Sequence, residues 1–347
     1  MTTVLDRNVH NIAIKGTFDD CQDIVKALFA DADTNASLKL GAINSINWAR
    51  ILAQIVYYFH SYLALARQGT IQLGEKIRFA VPTGNFGDVL AGYFALRMGL
   101  PIDKLVIGTN ENDILDRFWR SGKYEKADSS NSDAYAHGVN GVKATLSPAM
   151  DILVSSNFER LLWFLHHEQA ATVGMDDEWN AKQAGQEVVQ ALGALRSKGG
   201  FGPVHDEILT AARRDFESER VSDLQTVDAI KDFYGAGGPP TGLSEPYLLD
   251  PHTAVGVAAA LRSLQRAPEV EHVALSTAHP AKFAEAVEQA LGGVDGFSFE
   301  GSVLPDEMRG LDKLEKRVTK IDGDWQAVRE IVKAEVEEEL KEAYAER

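Results

Sequence analysis

Residues 76–88 read KIRFAVPTGNFGD, from Lys76 to Asp88. The apolar, β-branched run that ends at Val81 predicts a buried β-strand, and the apolar residues from Val89 onward recur at helical spacing. Glycines at positions 84 and 87 allow a tight turn between the two elements and bring backbone N–H groups close to a ligand. A helix that begins at such a turn stabilises an anion, typically a phosphate. The spacing matches neither Gly-x-Gly-x-x-Gly nor a Gly-Lys-Ser/Thr loop, and an ordinary turn without a ligand remains an equal alternative.

The same alternation of strands and helices continues outward in both directions. Strand-like runs at 11–16, 105–109 and 270–275 alternate with helical stretches at 24–29, 45–69, 114–119, 253–264 and 280–291. This order predicts an α/β fold with three layers, a mostly parallel sheet covered by helices. The helix that begins near Ser45 has apolar residues spread widely around its axis, so we expect it to be buried on most sides.

Breaks in this pattern predict the domain organisation. Residues 121–145 are polar and rich in Gly, Ser and Asn, as in a long loop. The Gly/Pro cluster at 235–240 is typical of a linker or a surface insertion. Because 157–234 are mostly helical, we expect a mainly helical insertion at about 145–250. The final helix, 325–347, contains an acidic run that we interpret as a solvated face.

Composition limits the classes of function. The 347 residues include 51 acidic and 35 basic side chains, a formal net charge of −16. This charge argues against a nucleic-acid partner, whose binding depends on Lys and Arg. No apolar stretch predicts a transmembrane helix, and no targeting peptide is visible, so we expect a cytoplasmic location. The single cysteine, Cys21, suits a reducing compartment, and His166-His167-Glu168 has no second ligand cluster that would predict a metal site.

Two segments near the ends of strands or helices carry candidate site residues. Ser276 and Thr277 follow a predicted strand, where ligands of open α/β sheets gather, and their hydroxyls either contact a cofactor ring or cap the next helix. His252 lies in the segment Asp250-Pro251-His252-Thr253. It is either a general acid/base or a hydrogen-bonded structural histidine at a turn.

A third candidate group lies at the start of the long helix. It either holds an anionic substrate or supplies a helix cap and an ion pair. Its members are Asn44, Ser45, Asn47 and Arg50.

Taken together, eight segments resemble the threonine synthase family, pyridoxal-phosphate enzymes of the tryptophan-synthase-β-like fold (fold type II). They occur in the order of the family and cover the chain apart from a variable stretch at 165–245. The segments are 16–22, 44–50, 81–88, 109–113, 147–152, 155–160, 250–256 and 276–283.

The resemblance implies a reaction in which O-phospho-L-homoserine and water give L-threonine and phosphate, catalysed by a carbon–oxygen lyase that acts on phosphates. It implies that Thr277 hydrogen-bonds the pyridine nitrogen of pyridoxal phosphate, and that 1–44 are the trailing part of a small substrate lobe and 45–347 a large cofactor domain. We expect a monomer or a homodimer. The remaining cofactor-binding residues that the resemblance implies are Gly84, Asn85, Phe86, Gly87 and Asp88.

The resemblance also identifies a difference from the family. The family's Schiff-base lysine lies in a Phe-Lys-Asp segment upstream of everything matched here, and Lys231 of Ile230-Lys231-Asp232-Phe233 lies in a helical stretch where that lysine is not expected. We therefore expect an N-terminally incomplete fold that corresponds to the C-terminal two-thirds of the family, has no catalytic lysine, is inactive alone and exposes apolar surface. Two alternatives stay open: a threonine-synthase-like phospholyase that forms a keto acid and ammonia, and a non-catalytic binding or regulatory protein.

Overall fold

The computed structural model describes residues 1–16, 18–45, 47–126, 141–235 and 246–345. Most of the loop predicted at 121–145 and of the linker predicted at 235–240 lies outside the described residues. Within the part of the chain that the structure describes, no helix combines the length and the apolarity that a membrane crossing requires.

The helices and strands follow the predicted alternation. The strands are β1 (Ile12–Lys15), β2 (Ile77–Pro82), β3 (Ile102–Thr109), β4 (Tyr124–Glu125), β5 (Gly200–Phe201), β6 (Phe216–Arg220), β7 (His272–Ala274) and β8 (Thr319–Asp322). The helices are α1 (Phe18–Ala30), α2 (Ala32–Leu38), α3 (Trp48–Gln68), α4 (Gly87–Arg97), α5 (Ile114–Ser121), α6 (Phe158–Ala171), α7 (Asp177–Lys198), α8 (Asp206–Asp215), α9 (Asp223–Tyr234), α10 (Pro251–Arg266), α11 (Ala284–Leu291), α12 (Phe299–Ser302) and α13 (Trp325–Ala345).

The chain divides into two compact units, 1–42 with 304–347, and 43–303. The predicted boundary at 44 lies close to this division. The C-terminal segment differs from the prediction, since β8 pairs in parallel with β1 and so places 304–347 in the first unit. The strand at 319–322 lacks a run of apolar residues, which is why no strand was predicted there.

The second unit contains a four-stranded sheet in the order β6-β3-β2-β7, with every neighbouring pair parallel. Alternate residues of β2 enter different clusters: Phe79 and Val81 pack with α3 and α4, whereas Ala80 packs with α10. Because successive side chains of a strand point to opposite faces, helices cover both faces of the sheet. The predicted three-layer α/β fold is therefore confirmed.

The stretch predicted as a helical insertion contains α6 to α9, but it also contains β6, an edge strand of the central sheet. Its sequence, FESER, contains a single apolar residue and therefore lacks the pattern that predicts a strand. The structure pairs its charges with α10: the Arg266 guanidinium lies 2.6 Å from the Glu219 carboxylate and 3.1 Å from that of Glu217. Charged side chains are common on edge strands because they discourage pairing with other chains.

Candidate functional site

The strand order creates a crevice between β2 and β7. From β2 the chain continues to β3 and then β6 on one side, and it returns later to β7 on the other side of β2. Ligands of open α/β sheets bind outside the carboxyl ends of the strands at such a switch point. A cavity of about 630 Å³ lies there, lined by 82–88 after β2, by 273–277 at and after β7, and by side chains of α3. Its volume is in the range of small-molecule sites.

The turn after β2 is packed too tightly for a side chain at position 84. A Cβ atom on Gly84 would lie 3.1 Å from the Ala149 carbonyl oxygen and 3.1 Å from the Met150 Cα. Both neighbours are backbone atoms, so neither can move aside easily. The Ser155 hydroxyl donates a hydrogen bond of 2.7 Å to the Gly84 carbonyl, which fixes the turn from the other side.

Phe86 precedes α4 with a φ of 65°, in the left-handed region that non-glycine residues rarely adopt. Its ring is buried and packs against Phe158 at 5.6 Å and Trp119 at 6.1 Å. No side chain caps the helix, and the first amides of any helix lack an acceptor within it. The turn thus presents unsatisfied N–H donors beside the cavity, and Phe86 can contribute only its backbone to a ligand.

Asp88 contacts two tyrosines of α3. The Tyr57 hydroxyl donates to its carboxylate at 2.5 Å and the Tyr58 hydroxyl at 3.0 Å. Burial raises the pKa of Asp88 above its ordinary value, although the two tyrosine hydrogen bonds lower it in part. Burial and the neighbouring carboxylate also raise the pKa of Tyr57, so its hydroxyl keeps its proton and remains a donor.

Sequence reasoning identified Arg50 at the start of α3 but missed three residues that lie in one row with it. Arg50, Gln54, Tyr57 and Ser61 all line the cavity. Their spacing of four, three and four residues places them on one side of a helix. This spacing could have predicted the row from the sequence, but apolar residues scattered around the same helix concealed it.

The structure separates the four candidates at the start of α3. The Asn47 side chain accepts a 2.9 Å hydrogen bond from the Ala49 amide and so caps the helix. Ser45 and Arg50 line the cavity, and Arg50 also donates to the Ile43 carbonyl at 3.3 Å. Asn44 and Asn47 are not among the residues that line the cavity. The capping role therefore applies to Asn47, whereas Ser45 and Arg50 remain candidates for contact with a ligand.

Ser276 and Thr277 lie at the cavity and do not cap the next helical turn, which His279 caps through its ring nitrogen. The alternative of a helix cap is therefore wrong for these two hydroxyls. The Thr277 amide donates to the Thr253 hydroxyl oxygen at 3.1 Å, and Thr253 in turn donates to Asp250.

His252 is a structural histidine in this fold. Its Nε2 accepts a 3.1 Å hydrogen bond from the Ala149 amide, and its Nδ1 lies 2.9 Å from the Asp250 carboxylate. An Nε2 that accepts must lack a proton, so Nδ1 carries the proton and donates to Asp250. Because both ring nitrogens are engaged and the ring is buried, His252 is not available as a general acid/base. Through the Ala149 amide, His252 fixes the segment that packs against Gly84.

Neither a lysine nor a metal cluster occupies the described part of the site. The residues lining the cavity include no lysine, and Lys231 lies exposed on α9, as its helical context predicted. Among the described residues, no group of three or more His, Cys, Asp or Glu side chains is arranged to hold a metal ion.

The chain is similar in sequence and fold to known threonine synthases. A family model described as "Threonine synthase, C-terminal" matches residues 253–332. Threonine synthase from Saccharomyces cerevisiae is 50% identical over 342 residues, which are 98% of this chain and 61% of the yeast protein. The crystal structure of threonine synthase from yeast superimposes with a TM-score of 0.80 at 47% identity, covering 97% of this chain and 62% of that one. The structure of pyridoxal-phosphate-bound threonine synthase from Brucella melitensis gives 0.73 at 38% identity, covering 96% and 61%.

The matched relatives are longer than this chain. It spans 61% of the yeast protein and 57% of threonine synthase from Schizosaccharomyces pombe, which is 50% identical over 90% of the chain. The matched part of the chain nevertheless includes both the turn after β2 and the segment after β7, and both segments line the cavity. The chain is thus similar to threonine synthases over almost its whole length and spans about three-fifths of the length of these relatives.

Proposed function

We propose that the cavity binds pyridoxal 5'-phosphate, with the phosphate at the turn 84–88. The observation that supports this most strongly is the position of the turn: a strained, tightly packed loop opens an uncapped helix at the switch point of a parallel sheet. Backbone N–H donors at a helix N-terminus suit a phosphate. The binding of pyridoxal phosphate by the Brucella relative supports the same cofactor.

The residues around the cavity fit the other parts of the cofactor. Thr277, which lies at the cavity with its amide tied to Thr253, is proposed to contact the pyridine nitrogen with its hydroxyl. The side-chain oxygen of Asn85 accepts from Ser156, and we propose that its side-chain NH2 group donates to the cofactor. Asp88, held by its tyrosines, completes the set with Gly84, Phe86 and Gly87.

The proposed reaction is that of threonine synthase, the conversion of O-phospho-L-homoserine and water to L-threonine and phosphate. When bound, pyridoxal phosphate withdraws electrons from the substrate and so permits proton removal and loss of the phosphate. Ser45 and Arg50 are proposed to hold the substrate phosphate, since both line the cavity and Arg50 supplies its cationic side chain. Because the Thr277 hydroxyl is neutral, its contact with the ring nitrogen would leave the electron withdrawal by the cofactor moderate.

Proton transfer at the substrate needs a base, and the carboxylate of Asp88 in the cavity is already engaged by two tyrosines. In the family this base is a lysine that also holds the cofactor, and no lysine lines the cavity. We therefore propose that the 347-residue chain binds the cofactor through its phosphate but is inactive by itself. We also propose, from the resemblance to the family, that the protein is a monomer or a homodimer. We propose a cytoplasmic location for it as well.

The test combines binding with product analysis. The purified chain is titrated with pyridoxal phosphate, and with pyridoxal as the control that lacks the phosphate. It is then incubated with O-phospho-L-homoserine, alone and co-expressed with the part of the yeast relative that the chain does not match. Saturable binding that requires the phosphate, and threonine formed only in the co-expressed sample, support the proposal. A keto acid and ammonia would identify the phospholyase instead, and no binding would favour a non-catalytic protein.

A further inference from the structure

Asn157 immediately precedes helix α6, but it does not cap that helix. Asparagine is favoured at this position because its side-chain oxygen can accept a hydrogen bond from an amide of the first turn. The Asn157 side chain makes no such hydrogen bond. Its Oδ1 atom is buried and has no hydrogen-bond partner among the described residues. Because a buried acceptor without a partner lowers stability, the other end of the side chain must hold it in this orientation.

That other end, the NH2 group of Asn157, bridges two segments that line the cavity. It donates one hydrogen bond of 2.9 Å to the Ser45 carbonyl and another of 2.9 Å to the Asn85 carbonyl. The Asn157 backbone amide also donates to the Asn85 carbonyl, at 3.1 Å. Ser45 lies in the segment 43–47 before α3, Asn85 lies in the turn 84–88, and both residues line the cavity. The two carbonyls accept only, so they fix the NH2 group between them.

Ser156 makes a second link between the same two segments. Its hydroxyl donates to the Asn85 Oδ1 atom at 3.1 Å and lies 3.5 Å from the Ser45 hydroxyl. Its backbone amide donates to the same Oδ1 atom at 3.3 Å. Ser156 and Asn157 together therefore engage both oxygens of Asn85 and connect them to Ser45.

These hydrogen bonds also orient the N–H donors of the turn. Its peptide bonds are trans, so the C=O group of one residue and the N–H group of the next point in opposite directions. Asn157 holds the Asn85 carbonyl, and the N–H group of Phe86 in the same peptide therefore points away from Asn157. Ser155 holds the Gly84 carbonyl in the same way. The donors of the turn are thus aimed at the side on which the phosphate is proposed.

We propose that Ser156 and Asn157 are positioning residues, which hold the turn 84–88 and the segment 43–47 together and aim the N–H donors of the turn at the phosphate. The described residues that line the cavity include neither of them, so both act through Asn85 and Ser45. This inference rests on the proposed function, which identifies the group that the donors bind.

The experiment compares Asn157→Ala, Asn157→Asp and Ser156→Ala with the wild-type 347-residue chain. Titration gives the ratio of the affinities for pyridoxal phosphate and for pyridoxal, and thermal unfolding gives the stability. Hydrogen exchange of the unliganded chain measures how firmly the two segments are held. Its probes are the Asn47 and Leu90 amides, each of which donates to a carbonyl of one segment.

Asn157→Ala should lower the affinity ratio about tenfold, because the turn loses a hydrogen bond that orients its donors. Asn157→Asp should lower it at least as much, since a carboxylate offers no donor to the two carbonyls. Ser156→Ala changes a half-buried side chain and is the milder substitution, so we expect a decrease of about threefold. In all three variants the Asn47 and Leu90 amides should both exchange severalfold faster.

Asn180→Ala is the matched control. Asn180 is also a buried asparagine whose Oδ1 atom has no partner among the described residues, and it lies on α7, outside the lining of the cavity. It should leave the affinity ratio and the exchange of both amides unchanged.

A merely structural role would make the Asn157 variants less stable with an unchanged ratio, and this result overturns the proposal. Unchanged exchange, or faster exchange in only one of the two segments, overturns it as well. Binding by the wild-type chain that does not depend on the phosphate refutes the proposed function instead, and exchange then still decides whether Ser156 and Asn157 hold the two segments together.

Discussion

Replacing Gly84 by alanine tests the geometry of the proposed phosphate site. The added Cβ would lie 3.1 Å from two backbone atoms, the Ala149 oxygen and the Met150 Cα, so the turn must shift by a few tenths of an ångström. The same turn positions the first amides of α4. Hydrogen bonds to a charged group are worth roughly 1.5–3 kcal/mol each, and weakening one at the upper end of that range by half costs about 1.5 kcal/mol, or roughly tenfold in affinity.

The assay is isothermal titration with pyridoxal phosphate, in parallel with thermal unfolding. Gly84→Ala should bind about tenfold more weakly and lose about 1–3 kcal/mol of stability through overpacking. The control is Gly185→Ala in α7, where a Cβ meets nothing within 4 Å. It should keep its affinity and gain about 0.5–1 kcal/mol, because alanine favours a helix more than glycine does. Wild-type affinity in a folded Gly84→Ala protein would refute the assignment of the phosphate to this turn.

Four further substitutions test single contacts. Tyr58→Phe removes the buried hydroxyl that donates to Asp88 and should lower the free energy of unfolding by about 1–3 kcal/mol in urea; an unchanged midpoint would contradict the contact. His252→Phe should cost about 1–3 kcal/mol, since it leaves the buried Ala149 amide without an acceptor and removes the ring's hydrogen bond to Asp250; full stability would contradict the structural role. Burial alone would raise the pKa of Asp250, but hydrogen bonds from His252 and Thr253 hold it below the ordinary 3.8. The ionised form of Asp250 therefore stabilises the fold above pH 3.8, and this contribution disappears as the pH falls through the lower pKa of the folded state. Asp250→Asn should therefore make the stability depend less on pH at acidic pH, and an unchanged dependence would contradict this. Arg50→Ala should weaken the binding of O-phospho-L-homoserine about tenfold without a change in melting temperature, and unchanged binding would remove Arg50 from the site.

The elements of the second unit were predictable where the chain buries apolar residues in a regular pattern. The strand at 77–82, the turn and helix α4 follow from residues 76–88 alone, because β-branched runs and glycines act locally. Strand β6 was not predictable in this way, since the partners of Glu217 and Glu219, Arg78 of β2 and arginines of α10, lie far away along the chain. The pairing of β1 with β8 likewise depends on contacts between the two ends of the sequence.

The site was predictable in part. Gly84 and Thr277 could be placed at strand ends, and the fold brings both to one cavity. The roles of His252 and Asn47 could not be decided from sequence, because a hydrogen bond to the Ala149 amide or to the Ala49 amide exists only in the folded backbone. Tyr57 was missed because the apolar residues of α3 concealed the spacing that aligns it with Arg50, and because its partner Asp88 lies on another helix.

The central claim, that the cavity between β2 and β7 holds pyridoxal phosphate by its phosphate, is tested most directly by amide chemical shifts. The isotope-labelled chain is titrated with pyridoxal phosphate, and separately with pyridoxal. If the turn holds the phosphate, the amides of 84–88 and 275–277 shift saturably, and those of 84–88 shift much less when the phosphate is missing. Shifts of equal size with both compounds, or shifts confined to other parts of the chain, would contradict it.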